Sequence, residues 1–160
     1  MSNVVQIYCD GGCRNNGRKN NIGGWGAVLM FKDKIKEIKG SKINTTNNQM
    51  ELTACIEALK LVKTGFDIEC YCDSAYIVNC MNDKWYRKWQ MNGWKTSKKQ
   101  LVENKDLWIE LLELIKEKSV KFIKVKGHIG IEFNERADEL ANEAMNELTR
   151  KEDNSKNLKN

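Results

Sequence analysis

Three apolar, alternating segments, Val4–Cys9, Gly23–Phe31 and Ile35–Ile43, follow one another at the start of the chain with only short connections between them. One of these connections is the tight turn Phe31-Lys32-Asp33-Lys34. Parallel neighbours need a crossover of a dozen or more residues, usually a helix, so these segments are expected to form an antiparallel meander. That constraint decides most of what the remaining chain can do. Any later strand has to join a sheet whose first half is already antiparallel.

The next segment has a helical period. Thr46-Asn47-Asn48-Gln49 has the spacing of a capping box, and a helix is expected from about Asn47 to Lys63. Its apolar stripe runs through Cys55, Ala58, Leu59 and Val62, and one turn back from Cys55 stands Glu51. A strand over Ile68–Cys72 then ends on Asp73-Ser74 before a helix over Ser74–Met81, just as the first strand ends on Asp10 before Gly11-Gly12 and a glycine-rich, basic loop. A strand, a helix and a second such strand make a right-handed crossover. The carboxyl ends of strands one and four then lie side by side, where ligands of such sheets bind.

Asn104 is expected to cap a helix reaching about Lys118, Val120–Val125 is the fifth strand, and Asn134 is expected to cap a last helix with Asp138 in its first turn. The folded domain spans residues 1–150, and the polar stretch 151–160 is expected to be a frayed tail. With a strand order of 3-2-1-4-5, Asp10, Glu51, Asp73 and Asp138 converge over the middle of the sheet. Bare carboxylates about 4 Å apart repel by roughly 1 kcal/mol per pair even in water. A cation makes that arrangement sensible, and oxygen-only donors favour magnesium or manganese over zinc.

Composition narrows the partners. The net charge is +5, and Lys84, Arg87, Lys88, Lys95, Lys98 and Lys99 occupy one segment without acidic residues, interleaved with Trp85, Trp89 and Trp94. The lysines alone suit a solvated face and the tryptophans a seam between helices, but basic charge with aromatics in one segment also grips a sugar-phosphate backbone, and the packing and gripping roles are compatible. No apolar run approaches the ~20 residues of a membrane span. No secretory pattern opens the chain, so a cytoplasmic setting is expected. The six cysteines fall mainly in apolar patterns, as small hydrophobes do, and neither Cys9/Cys13 nor Cys70/Cys72 has the paired spacing of a structural zinc site.

The segments Asp10-Gly11-Gly12-Cys13, Thr46-Asn47-Asn48-Gln49-Met50-Glu51-Leu52, Asp73-Ser74, Gly93-Trp94-Lys95-Thr96, Lys126-Gly127-His128-Ile129-Gly130 and Asn134-Glu135-Arg136-Ala137-Asp138-Glu139-Leu140-Ala141 resemble, in order and spacing, the signature series of type 1 ribonuclease H. The resemblance runs from about Val5 to Glu147. It implies an α/β, RNase H-like fold with a five-stranded mixed sheet and an endonuclease that cuts the RNA strand of an RNA–DNA hybrid. It implies two Mg²⁺ ions, with Mn²⁺ a possible substitute, held by Asp10, Glu51, Asp73 and Asp138, and a proton-moving or product-releasing role for His128.

By the same resemblance Gly11, Gly12, Asn16, Asn47, Asn48 and Gln49 lie against the hybrid. Trp85, Trp89, Lys88, Lys95 and Thr96 belong to a basic protrusion along the DNA strand, and Thr46 and Asn104 match a pocket for a DNA phosphate. Asn44 stands where some members place arginine in that pocket, and Ala75 where some have glutamine. The first loop lacks the proline of many bacterial members. No separate hybrid-binding domain is seen, so low processivity and a monomer are expected.

Overall fold

The computed structural model describes residues 3–125 and 131–158. Its strands are β1 (Val4–Arg14), β2 (Ile22–Phe31), β3 (Lys34–Ile43), β4 (Asp67–Cys72) and β5 (Ser119–Lys124). The helices are α1 (Asn47–Lys60), α2 (Ala75–Asn82), α3 (Tyr86–Met91), α4 (Lys105–Ile115) and α5 (Ile131–Leu158). The sheet order is β3-β2-β1-β4-β5, with β1, β2 and β3 antiparallel and β4 and β5 parallel to β1. Both the expected order and the sense of the strands are met.

Strand alternation sorts β1 between two cores. Ile7 and Cys9 enter the larger one with Leu52, Cys55, Leu59, Ile77, Trp108 and Leu111, so α1, α2 and α4 cover this face. Tyr8 faces the other way, against Val28, Ala137 and Leu140, where α5 lies. On α1 the side chains of Met50, Leu52, Ile56 and Leu59 are all at most 2% exposed. Each such side chain contributes about 1.5–3 kcal/mol by leaving water, which fixes the helix on the β1–β2 seam.

Several boundaries differ from the sequence reading, each for a local reason. β1 does not end before Asp10: Asp10 to Arg14 stay paired with β2, Asp10 opposite Gly26 and Gly12 opposite Gly24. Two glycine-rich stretches that each look like loop complete one ladder together. α1 ends at Lys60 because its last turn tightens, Leu61 N–H donating to Ala58 and Val62 N–H to Leu59, before Gly65 at φ 95°. Asn104 stands at the N-cap position of α4, as expected, and its carbonyl accepts from Trp108 N–H, but its backbone is left-handed (φ 61°) and its side chain makes no capping bond, interacting with the Tyr76 hydroxyl instead.

Asn134 is no cap. α5 already runs from Ile131, which leaves Asn134 within the helix and Asp138 in its third turn. Beyond Arg150, where a frayed tail is expected, the helix continues to Leu158. The stretch has neither glycine nor proline to stop it, and extending a helix already nucleated costs little. The Thr46 cap is present, its hydroxyl accepting from Gln49 N–H at 3.1 Å, but the reciprocal arm is replaced. Gln49 Oε1 accepts from the Thr45 hydroxyl (2.8 Å), and Thr45 N–H donates to Asn21 (2.9 Å). The start of α1 is thereby tied to the segment entering β2.

Candidate active site

β1 and β4 stay in parallel register as far as Cys9 opposite Cys72, and the next residue on each strand is a carboxylate, Asp10 and Asp73. Asp10 is the better fixed of the two, because β1 continues in its ladder with β2, and the carboxylate accepts from Gly11 N–H at 2.9 Å. Two glycines let helices bring the other two acids in. A Cβ on Gly11 would stand 2.5 Å from the Met50 carbonyl carbon and 2.6 Å from Glu51 N, so the α1 backbone rests directly on the strand at Glu51. On the opposite face a Cβ on Gly26, the partner of Asp10, would stand 2.5 Å from the Ala137 oxygen, which seats α5 one residue before Asp138.

The consequence is electrostatic. Burial, then the neighbouring Asp138 carboxyl, and finally the more distant Glu51 charge push Asp10 from 3.8 up to about 7, against the smaller opposing pull of the Gly11 N–H. Burial also raises Glu51, and the Asp73 charge adds to it, while the Ser74 hydroxyl stabilises its charged form. Asp73 and Asp138 are exposed. Lys124 stands 3.7 Å from Asp73, a solvent-screened pair that leaves the acidic surplus in place. Four carboxylates from four elements gather at one edge of the sheet, Asp10 and Glu51 partly desolvated and Asp10 raised further by the Glu51 charge, and their hard oxygens could hold a cation. That set fits divalent magnesium or manganese.

Among the residues expected to touch substrate, Gly12 has open space around it, since a Cβ there would meet nothing within 4 Å, and Asn16, Thr46 and Asn47 are exposed. Asn48 and Gln49 are half-buried in the first turn of α1. Lys42, Gln49, Thr53, Asn104, Lys105 and Asp106 line a cleft of ≈ 530 Å³ together with apolar residues such as Leu101 and Leu107, so Asn104 opens on a mixed hollow with two lysines and one acid at its edge. Lys88, Lys95 and Thr96 are exposed.

The two protrusion tryptophans part company. Trp89 packs inward, its ring 5.8 Å from those of Trp94 and Trp108, whereas Trp85 is 39% exposed among the lysines. His128 lies outside the described residues. Ser74 and Gly26 escape a reading by motif; Ser74 looks only like the α2 cap that it also is, accepting from Ile77 N–H at 3.3 Å. Gly26 acquires its meaning only once β1 and β2 are in register.

Known proteins share both the sequence and the fold. The profile of the family described as RNase H matches residues 2–146. A ribonuclease H of Clostridium botulinum (strain Hall) is 56% identical over 148 residues, 92% of this chain and 99% of that protein. One from Thermoanaerobacter sp. (strain X514) is 49% identical over 153 residues, 94% and 97% of the two chains. Among solved structures, the type 1 RNase H LC9-RNase H1, described as having the type 2 active-site motif, superposes with a TM-score of 0.78 at 32% identity, covering 91% of this chain and 74% of that one. LC11-RNase H1, solved in complex with an RNA/DNA hybrid, does so with a TM-score of 0.67 at 27% identity, covering 91% and 99%.

Proposed function

The chain belongs to the RNase H family, and from that premise we propose that it is an endonuclease hydrolysing the RNA strand of RNA–DNA hybrids to 5′-phosphate and 3′-hydroxyl ends. The observation that carries this reading is the gathering of Asp10, Glu51, Asp73 and Asp138 at one edge of the sheet, with Asp10 held up at about 7 by its neighbours. Two divalent cations, Mg²⁺ or in its place Mn²⁺, bound by these four carboxylates would supply an activated water and positive charge for the leaving 3′-oxygen.

The chain's own residues do the placing. Asp10 is fixed by its ladder with β2 and sets the position of the reacting phosphate, and Gly12 leaves room for the backbone of the hybrid. Asn16, Asn47, Asn48 and Gln49 sense the minor groove, where a 2′-hydroxyl distinguishes RNA from DNA. Trp85, Lys88, Lys95 and Thr96 hold the DNA strand, with Trp89 fixing the protrusion that carries them, and Thr46 and Asn104 receive one of its phosphates. His128 assists a proton movement or product release. These are backbone contacts, so little base preference is expected. A monomer acting in the cytoplasm fits this reading, and no helix among the described residues is long and apolar enough to cross a membrane.

The decisive experiment offers the protein a hybrid, duplex RNA, duplex DNA and single-stranded RNA, each with Mg²⁺, Mn²⁺ or EDTA. Cleavage confined to the RNA of the hybrid and abolished by EDTA is expected. Equal cutting of duplex DNA, or activity that survives EDTA, would refute the proposal.

A further inference from the structure

Four of the six cysteines, Cys9, Cys55, Cys70 and Cys72, bring their sulfurs within 4.8 Å of one another. The separations are 3.4 Å for Cys55–Cys72, 3.8 Å for Cys70–Cys72 and 3.9 Å for both Cys9–Cys70 and Cys55–Cys70. They come from three elements. Cys9 on β1 stands opposite Cys72 in the parallel ladder, Cys70 shares the face of Cys72 two residues back, and Cys55 descends from α1. All four are buried and in the reduced state.

From this geometry we propose that the Cys9, Cys55, Cys70 and Cys72 cluster is a tetrahedral thiolate site for a thiophilic closed-shell cation of the Zn²⁺ class. A zinc–sulfur bond of about 2.3 Å places the corners of a regular tetrahedron about 3.8 Å apart; the four separations above straddle that edge, and the remaining two, from Cys9 to Cys55 and to Cys72, lie within 4.8 Å. Four ligands from one side chain each close the coordination sphere, the form of a structural rather than a catalytic zinc site. The local spacing of cysteines misses such a site because two of its members are brought together by strand register, not by a short loop. Sulfur ligands distinguish it from the oxygen-lined carboxylate site in the cation that each selects.

Burial does not bar the ion, since structural metals load as the chain folds around them. Every sulfur that binds as thiolate gives its proton to solvent, and no oxidation or reduction is involved. The site also has a structural role to play. Cys9 and Cys72 immediately precede Asp10 and Asp73, and Cys55 lies one turn after Glu51. An ion there would pin α1 to β1 and β4 directly beneath three of the four carboxylates.

The test is to refold the full chain under reductant with Co²⁺, or with Zn²⁺ followed by native mass spectrometry and metal analysis. One ion per chain is expected, with the visible d–d bands and near-ultraviolet sulfur-to-metal charge-transfer band of tetrahedral sulfur ligation. Both bands should survive in Asp10→Asn and in Cys80→Ala, which removes a buried cysteine outside the cluster, and both should be lost in Cys55→Ala. Circular dichroism on the two alanine variants separates loss of the ion from loss of the fold. No stoichiometric ion, a disulfide in its place, or bands unchanged in a folded Cys55→Ala would overturn the proposal. None of these readouts depends on nuclease activity.

Discussion

At the scale of single residues, Asp10 and its flanking glycines bear most directly on both stability and activity. Because the folded protein holds the Asp10 proton up to about 7 while the unfolded chain loses it near 3.8, metal-free stability falls as pH rises between those values and is level above them. The loss is roughly 4 kcal/mol at most. Asp10→Asn removes it, so this variant should be inactive on a hybrid yet melt several degrees higher than the parent in EDTA above pH 7, the gap closing towards pH 4. Thermal unfolding across that pH range checks both halves, and a gap that does not depend on pH would remove Asp10 as its source. The glycines beside it differ. Gly11→Ala drives a methyl into the α1 backbone and should cost at least ~1–3 kcal/mol in urea unfolding. Gly12→Ala has open space and should leave stability nearly unchanged while weakening hybrid binding.

At the scale of elements, the segment around α3 separates a packed tryptophan from an exposed, basic surface, two features that composition alone left undivided. Trp89 is locked between Trp94 and Trp108, whose indole N–H donates to Tyr76 at 2.9 Å. Trp89→Ala should therefore destabilise the protein, though by less than the ~3–5 kcal/mol of a fully buried tryptophan, since Trp89 is half-buried. Trp85→Ala should cost much less in stability and act mainly on hybrid affinity, and paired unfolding and binding measurements tell the two apart. Neutralising Lys84, Arg87, Lys88, Lys95, Lys98 and Lys99, all exposed, should flatten the salt dependence of binding. Six phosphate contacts on B-DNA would correspond to a log–log slope of about −5. An unchanged slope would make the run a solvated face.

Much at this scale was legible, because hydrophobic period and cap chemistry are local. Thr46 caps where expected, α2 begins one residue after the expected Ser74, which caps it instead, and strands two to five fall within a residue or so of their expected ends. Asn134 misled because asparagine favours several backbone states and only its surroundings choose among them. The run Gly11 to Arg14 misled for another reason, since its pairing partner lies in a different segment.

For the whole molecule, strand order followed from connection lengths and from two strands that end alike, and with it came the meeting of the carboxylates. The sulfur cluster did not follow, because Cys9 meets Cys72 only through a register that no local window contains. The reach of α5 was missed too. Among its described side chains the buried ones, Ala137, Leu140, Ala141, Ala144 and Met145, all precede residue 146, while Lys39 and Arg136 add exposed ion pairs joining β3 to this helix. Deleting residues 151–160 should therefore lower helical circular dichroism yet shift unfolding by less than ~1 kcal/mol. A larger loss would show that the last turns carry the fold.

The position of Asp10 inside β1, hydrogen-bonded into the central ladder rather than perched on a loop, has a kinetic meaning. Pairing into a sheet raises the free energy of local opening. Amide exchange at the Asp10 and Gly26 pair should therefore be slower than in the turn 15–20 that joins β1 to β2, and equally fast exchange at the two would show that this edge opens without the rest of the sheet. A carboxylate carried on a strand then keeps its place while the loops around it move.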